Sequence, residues 1–122
     1  MREIQMKKLL AIFLLCISAS VFAASKPAYS VAEIMITDKE GYQKDLWPKI
    51  QKLLTDAGAV VIVGGGQSEG IVDAPKMADR ITIIKFKSYG QAKGFYASKS
   101  YQDLKPLADK YVKVKLYIVE GE

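Results

Sequence analysis

The sequence predicts a two-layer α+β domain with the element order β-α-β-β-α-β, and three observations lead there. Four β-branched runs are spread along the chain, two helical patterns separate them in pairs, and a glycine-rich loop joins the middle two. Of the 122 residues 50% are apolar and 25% charged, the balance of one ordinary globular domain. No internal repeat or low-complexity linker divides the chain, so residues 24–122 read as a single domain.

Strand one is the run Tyr29–Thr37. Thr37-x-x-Glu40 has the form of a capping box and opens the first helix. Tyr42, Leu46, Ile50, Leu53, Leu54 and Ala57 then recur at helical spacing until Gly58 closes it, with a kink expected near Trp47 because Pro48 lies inside. Ala59–Val63 is strand two. Gly64-Gly65-Gly66 leads into a polar loop that reaches Asp79, and Arg80–Phe86 is strand three. Ser88-x-x-Gln91 caps a second helix carrying Ala92, Phe95 and Tyr96. A break at Ser98–Ser100 precedes a further helical stretch, Tyr101–Lys110, with Pro106 near its middle. Val112–Val119 is strand four.

This order is the split βαβ plan, ferredoxin-like βαββαβ, with a four-stranded antiparallel sheet of strand order 4-1-3-2. Strand four then lies at an edge, where Lys113 and Lys115 deter pairing with another chain. Helices cover one sheet face only. The other receives Val31, Glu33 and Met35 from strand one and Lys113, Lys115, Tyr117 and Val119 from strand four. From strand three it receives either Arg80, Thr82, Ile84 and Phe86 or Ile81, Ile83 and Lys85. That surface is too apolar for a solvated sheet face, so packing against a second copy of the chain is expected.

Residues 1–23 read as a secretory signal peptide. Arg2, Lys7 and Lys8 form a basic n-region, Leu9–Ala19 is the apolar core, and Val21-Phe22-Ala23 ends at a cleavage point between Ala23 and Ala24. The apolar stretch is shorter than the about 20 residues that a membrane span needs. Leu15 before Cys16 does not suit lipid attachment. Export to the periplasm or the medium is expected, with no stable membrane association after cleavage. The mature chain keeps only a mild basic excess, unlike a nucleic-acid binder.

The chain has no histidine and one cysteine, and the cysteine leaves with the signal peptide. Ser-His-Asp triads, Cys-His dyads, zinc fingers and disulfide frameworks are thereby removed. Without His or Cys, transition metals and haem lose their usual ligands, so no cofactor is expected. The segment Val63–Gly70 lacks the Gly-Lys-Ser/Thr ending of a phosphate loop and reads as a hairpin loop.

Glu33 stands out, because a carboxylate in a central strand is rarely buried without a partner. It has two readings: a cross-strand ion pair with Arg80 or Lys85 lining a dimer seam, or a general base in a ligand cleft. Tyr96 and Tyr101 bracket the Ser98 break, where the helix leaves a gap over the sheet. The candidate ligand residues are therefore Glu33, Arg80, Lys85, Tyr96 and Tyr101, and the catalytic candidates Glu33, Arg80 and Tyr96. The plainer reading packs Trp47, Phe95, Tyr96 and Tyr101 as core and leaves Lys49, Lys52, Lys93, Lys99, Lys105 and Lys110 as a solvated helical surface.

Several segments together resemble one family. They are Ala28-Tyr29, Thr37-Asp38 with Tyr42, Ala57-Gly58, Arg80–Phe86, Ala92 with Phe95-Tyr96, Ser98-x-x-Tyr101-Gln102 and Val119-Glu120-Gly121. The chain is similar over residues 28–121 to domain of unknown function 1330, in the dimeric α/β-barrel superfamily. The resemblance implies a ferredoxin-like fold and a homodimer built through the sheet faces. It implies no particular reaction. The chain departs from the family pattern at Val63 and Ala108, where arginine is usual, and at Asp73-Ala74. Two functions are carried forward: a dimeric, exported small-ligand-binding or stress-related module, and a cofactor-free enzyme of monooxygenase or isomerase type acting on a small organic molecule.

Overall fold

The computed structural model describes residues 25–74 and 78–122; the signal segment and the Ala23/Ala24 cleavage point lie outside the described residues. Strands β1 (Ala28–Ile36), β2 (Val60–Gly64), β3 (Arg80–Phe86) and β4 (Val112–Glu120) form one sheet of order β2-β3-β1-β4. All three pairings are antiparallel, which is the expected 4-1-3-2 arrangement read from the other edge. A register shift between Val61 and Val63 leaves Ile62 as a bulge on edge strand β2.

The first helix, α1, is three consecutive stretches: Lys39–Gly41, the π-helical Tyr42–Leu46, and Trp47–Asp56. Its cap is Asp38 rather than Thr37. The Asp38 carboxylate accepts from Gly41 N at 3.0 Å, and the Thr37 and Asp38 amides both donate to the Tyr111 carbonyl, at 2.8 and 3.2 Å. The irregularity expected at Trp47 takes the form of the π-helical stretch, in which Trp47 N donates to Tyr42 O. Pro48, which has no N–H to donate, follows directly on this stretch at the start of Trp47–Asp56. At the far end Gly58, at φ 72°, lets Gly58 N reach Thr55 O and Ala59 N reach Leu54 O, a Schellman stop.

Helix α2 (Tyr89–Ala97) is capped by Ser88, and Gln91 ties it to α1 by donating Nε2 to the Ala57 carbonyl at 2.8 Å. The expected single helix Tyr101–Lys110 is two helices, α3 (Lys99–Gln102) and α4 (Lys105–Tyr111). Pro106 lies in the first turn of α4 rather than mid-helix, because only there does it displace no intrahelical hydrogen bond.

Strict alternation along the strands divides the side chains. Ser30, Ala32 and Ile34 of β1 are buried under the helices together with Thr82, Ile84 and Phe86 of β3. The open face therefore takes Ile81, Ile83 and Lys85 from β3, and Glu33 and Met35 from β1 are exposed there. The buried side chains form two clusters, one around Leu54, Phe86 and Phe95 and one around Ile34, Tyr42 and Leu46. Burying one such side chain contributes about 1.5–3 kcal/mol.

Candidate functional site

The two core clusters do not merge. Between them lies a cavity of about 80 Å³ with Ala32, Ile34, Thr82 and Ile84 as its floor. Tyr42 and Trp47 of α1 wall one end, and Tyr96, Tyr101 and Lys105 the other. Small side chains help make the space: Ala32 on the central strand and Ala108 on α4 bring only a methyl group each to its lining.

Ser98 builds the Tyr96/Tyr101 wall. Its backbone is extended (φ −63°, ψ 150°), its hydroxyl donates to Phe95 O at 2.6 Å, and it accepts from Tyr101 N at 3.2 Å. One residue thus ends α2 and starts α3, and the turn sets the Tyr96 and Tyr101 rings edge-on at 4.8 Å. The Tyr96 hydroxyl donates to Ser30 Oγ at 2.7 Å. Burial pushes the Tyr96 phenol up to about 12, the nearby Tyr101 adding to the rise and Ser30 opposing it. Burial raises Tyr101 as well.

The other wall holds an orphan. Tyr42 is 2% exposed, and its hydroxyl has no hydrogen-bond partner among the described residues. Desolvation raises its pKa, while the positive charge of Arg80 and the approach of its guanidinium N–H to the phenol oxygen oppose the rise. Arg80 offers donors only, so the phenol O–H is left with no acceptor among the described residues. Arg80 sits over the Trp47 ring at 4.8 Å and the Tyr42 ring at 5.7 Å, and its Nε donates to Thr82 Oγ1 at 3.3 Å. Gly65, at φ 93°, passes so close that a Cβ there would meet the guanidinium at 2.8 Å.

The residues singled out from sequence fall on two faces. Tyr96 and Tyr101 line the cavity, and Arg80 lies on the same side of the sheet, opposite Ile34 in the register. Glu33 and Lys85 are on the open face. Glu33 is exposed between Ile81 and Lys115, while Lys85 pairs with Tyr29, four residues away along β1. The juxtapositions of Glu33 with Arg80 or Lys85 are therefore not made: alternation puts Arg80 through the sheet and register puts Lys85 too far along it. The strand cation opposite Glu33 is Lys115.

Sequence reasoning passed over Tyr42, Thr82 and Lys105 as ligand residues. Thr82 carried a legible signal, a hydroxyl in the middle of an otherwise apolar strand. Tyr42 at helical spacing looked like any core aromatic, and Lys105 like any surface lysine. Among the described residues no cluster of three carboxylate, thiol or imidazole groups is placed to hold a metal ion, and no helix is long and apolar enough to cross a membrane.

The sheet order, with helices on one face, defines a ferredoxin-like α+β domain with a small, partly open cavity between helices and sheet. The family model for the domain of unknown function DUF1330 matches residues 27–122, and the chain belongs to that family. No curated protein matches it. Among solved structures it is similar to the RPA0582 protein of unknown function from Rhodopseudomonas palustris, at 14% identity and a TM-score of 0.65. That match covers 95% of this chain and 93% of the other. The methylated form of RPA0582 matches at 13% identity and a TM-score of 0.53, over 95% and 91% of the two chains. These likenesses support the fold.

Proposed function

We propose that the protein is a small-ligand-binding module whose ligand places an apolar end in the cavity between helices and sheet. The buried Tyr42 hydroxyl carries this reading. A buried O–H without an acceptor costs about 1–3 kcal/mol, and a ligand bearing a hydrogen-bond acceptor on a small ring removes that cost. On the scale where one water needs about 10–15 Å³, a cavity of about 80 Å³ suits a single ring and not a large cofactor.

Binding is favoured over acid–base catalysis by the lining itself. Among the described residues no carboxylate lines the cavity, and burial moves the phenols of Tyr42, Tyr96 and Tyr101 away from neutrality. Glu33, the strongest candidate base in the sequence, faces away from it.

The module works, in this proposal, as an exported homodimer. The basic, apolar and small-residue parts of the leader support export. Met35, Tyr117 and Val119, exposed at 40%, 56% and 52% on the open sheet face, support pairing through that face.

Thermal shift on the purified protein tests the ligand reading. Phenol is expected to raise the melting temperature more than toluene, and Tyr42→Phe to erase the difference. Absence of any shift with either compound overturns the reading.

A further inference from the structure

The cavity does not end at Tyr101. A wider cleft of about 940 Å³ runs along β4 and shares Tyr96, Tyr101, Lys105 and Ala108 with it. The two spaces therefore adjoin, with the same side chains in both walls beneath the Ser98 turn and the start of α4. The cavity lining is almost wholly apolar. The cleft is lined by Lys93, Lys105 and Lys113 against the single carboxylate of Asp109.

Four other helical lysines are paired with a carboxylate, whereas Lys39 and Lys110, like Lys105, form no ion pair within 4.0 Å among the described residues but line neither space. Lys44 pairs with Glu40 and Lys49 with Asp45, each at 2.7 Å, and Lys52 pairs with Asp56 at 3.1 Å, all four residues apart. Lys99 approaches Asp103 to 3.9 Å at the same spacing. Lys105 has Asp109 four residues on, the same arrangement as Lys52 and Asp56. Yet it forms no ion pair within 4.0 Å among the described residues and lines both the cavity and the cleft. Lys93 lies over the Tyr89 ring at 5.9 Å, likewise without a carboxylate partner. Positive charge is thus left unpaired where an apolar pocket opens to solvent.

We propose that the ligand is an amphipathic organic carboxylate, its apolar end in the cavity and its carboxylate at the mouth beside Lys105. The inference rests on the binding reading above and names the chemistry of the group outside the cavity. A carboxylate there replaces its water with a charge-assisted hydrogen bond from Lys105 and adds the field of Lys93 and Lys113. An aromatic acid and a medium-chain fatty acid present the same chemistry, and they differ in the shape of the part that enters.

Trp47, the single tryptophan of the chain, lines the cavity and reports occupancy by its fluorescence. The purified protein is titrated with 3-phenylpropanoate and octanoate and with the amide of each. The better-fitting acid is expected to bind about tenfold tighter than its own amide, a margin that narrows in high salt. Lys105→Gln, checked for an unchanged melting temperature, is expected to bring acid binding down to the amide level and leave amide binding as it was. Preference for 3-phenylpropanoate identifies the aromatic class, and preference for octanoate the fatty-acid class. Equal binding of acid and amide, or discrimination that survives Lys105→Gln, overturns the proposal while leaving the cavity reading in place. Failure of the acids, the amides and phenol alike overturns both.

Discussion

The Tyr96 hydroxyl donates to Ser30 Oγ at 2.7 Å across 66 residues of sequence, joining α2 to the buried face of the central strand. Ser30 is 0% exposed, so its hydroxyl depends on this partner. Tyr96→Phe is expected to destabilise the fold by about 1–3 kcal/mol, because it leaves that buried hydroxyl unpaired. Adding Ser30→Ala should recover part of the loss. Chemical denaturation of the two single variants and the double variant measures the coupling.

Burial of the Tyr96 phenol governs the behaviour of the protein in alkali. A phenol raised from 10.0 to about 12 holds its proton more tightly in the folded state than in the unfolded one. Its contribution is fully present below pH 10 and is lost as the pH rises from 10 towards 12. Each tenfold difference in proton affinity between the two states is worth about 1.4 kcal/mol, so Tyr96 alone removes on the order of 2 kcal/mol across that window. Tyr42 and Tyr101, also raised by burial, act in the same direction. Stability against pH should fall above pH 10 in the wild type and more shallowly in Tyr96→Phe; equal slopes would remove Tyr96 from the account.

Glycine substitutions separate close packing from chain entropy. A Cβ on Gly41 runs into the Tyr111 ring, whose hydroxyl donates to Asp45 Oδ2 at 2.9 Å and whose carbonyl accepts from Thr37 and Asp38. Gly41→Ala must displace that ring, and a loss of about 1–3 kcal/mol is expected. Gly94, inside α2, has nothing within 4 Å of a built Cβ. Gly94→Ala should stabilise the protein by about 0.4–1 kcal/mol. Melting temperatures that move in the same direction for both variants would contradict this account.

The fold was legible because its signals are local and periodic. Alternation in β1 and β3, the Ser88 cap and the Gly58 stop each determine a neighbourhood without reference to the rest of the chain. The candidate site was only half legible, because it depends on register. Glu33 and Arg80 lie on neighbouring strands, but which side of the sheet each faces is set by the pairing of Ile34 with Arg80. The cap falls one residue later than the Thr37-x-x-Glu40 spacing indicates: the Tyr111 carbonyl, at the far end of α4, accepts from both the Thr37 and Asp38 amides, and the Asp38 side chain makes the capping bond. The orphan hydroxyl of Tyr42 and the unpaired Lys105 are properties of assembled neighbours, and no spacing rule announces them.

The open sheet face leads to a prediction about assembly. Val31, Ile81 and Ile83 are half-buried within one chain, and Met35, Tyr117 and Val119 extend the apolar surface to the β4 edge. Light scattering at micromolar concentration is expected to give the mass of two chains. Tyr117→Glu, on an edge strand and 56% exposed, should yield a folded monomer with an unchanged circular dichroism spectrum. A monomeric wild type would retire the dimer.

Glu33 supplies the last prediction, because the two faces of the sheet assign it different consequences. Its carboxylate lies between Ile81 and Lys115 on the open face, and the cavity lies beneath the opposite face. Glu33→Gln should therefore leave phenol binding, followed by Trp47 fluorescence, within about twofold of wild type, a margin of under about 0.5 kcal/mol. In the monomeric Tyr117→Glu background the change removes only an exposed charge opposite Lys115, so stability should move by less than about 1 kcal/mol. In the proposed dimer the same carboxylate would be enclosed between two sheets, and losing it would leave the Lys115 ammonium unopposed. Dimer dissociation, measured by dilution, should then occur at a higher concentration in Glu33→Gln than in wild type. Weaker phenol binding with an unaltered dimer would return Glu33 to the ligand site and overturn the assignment of the two faces.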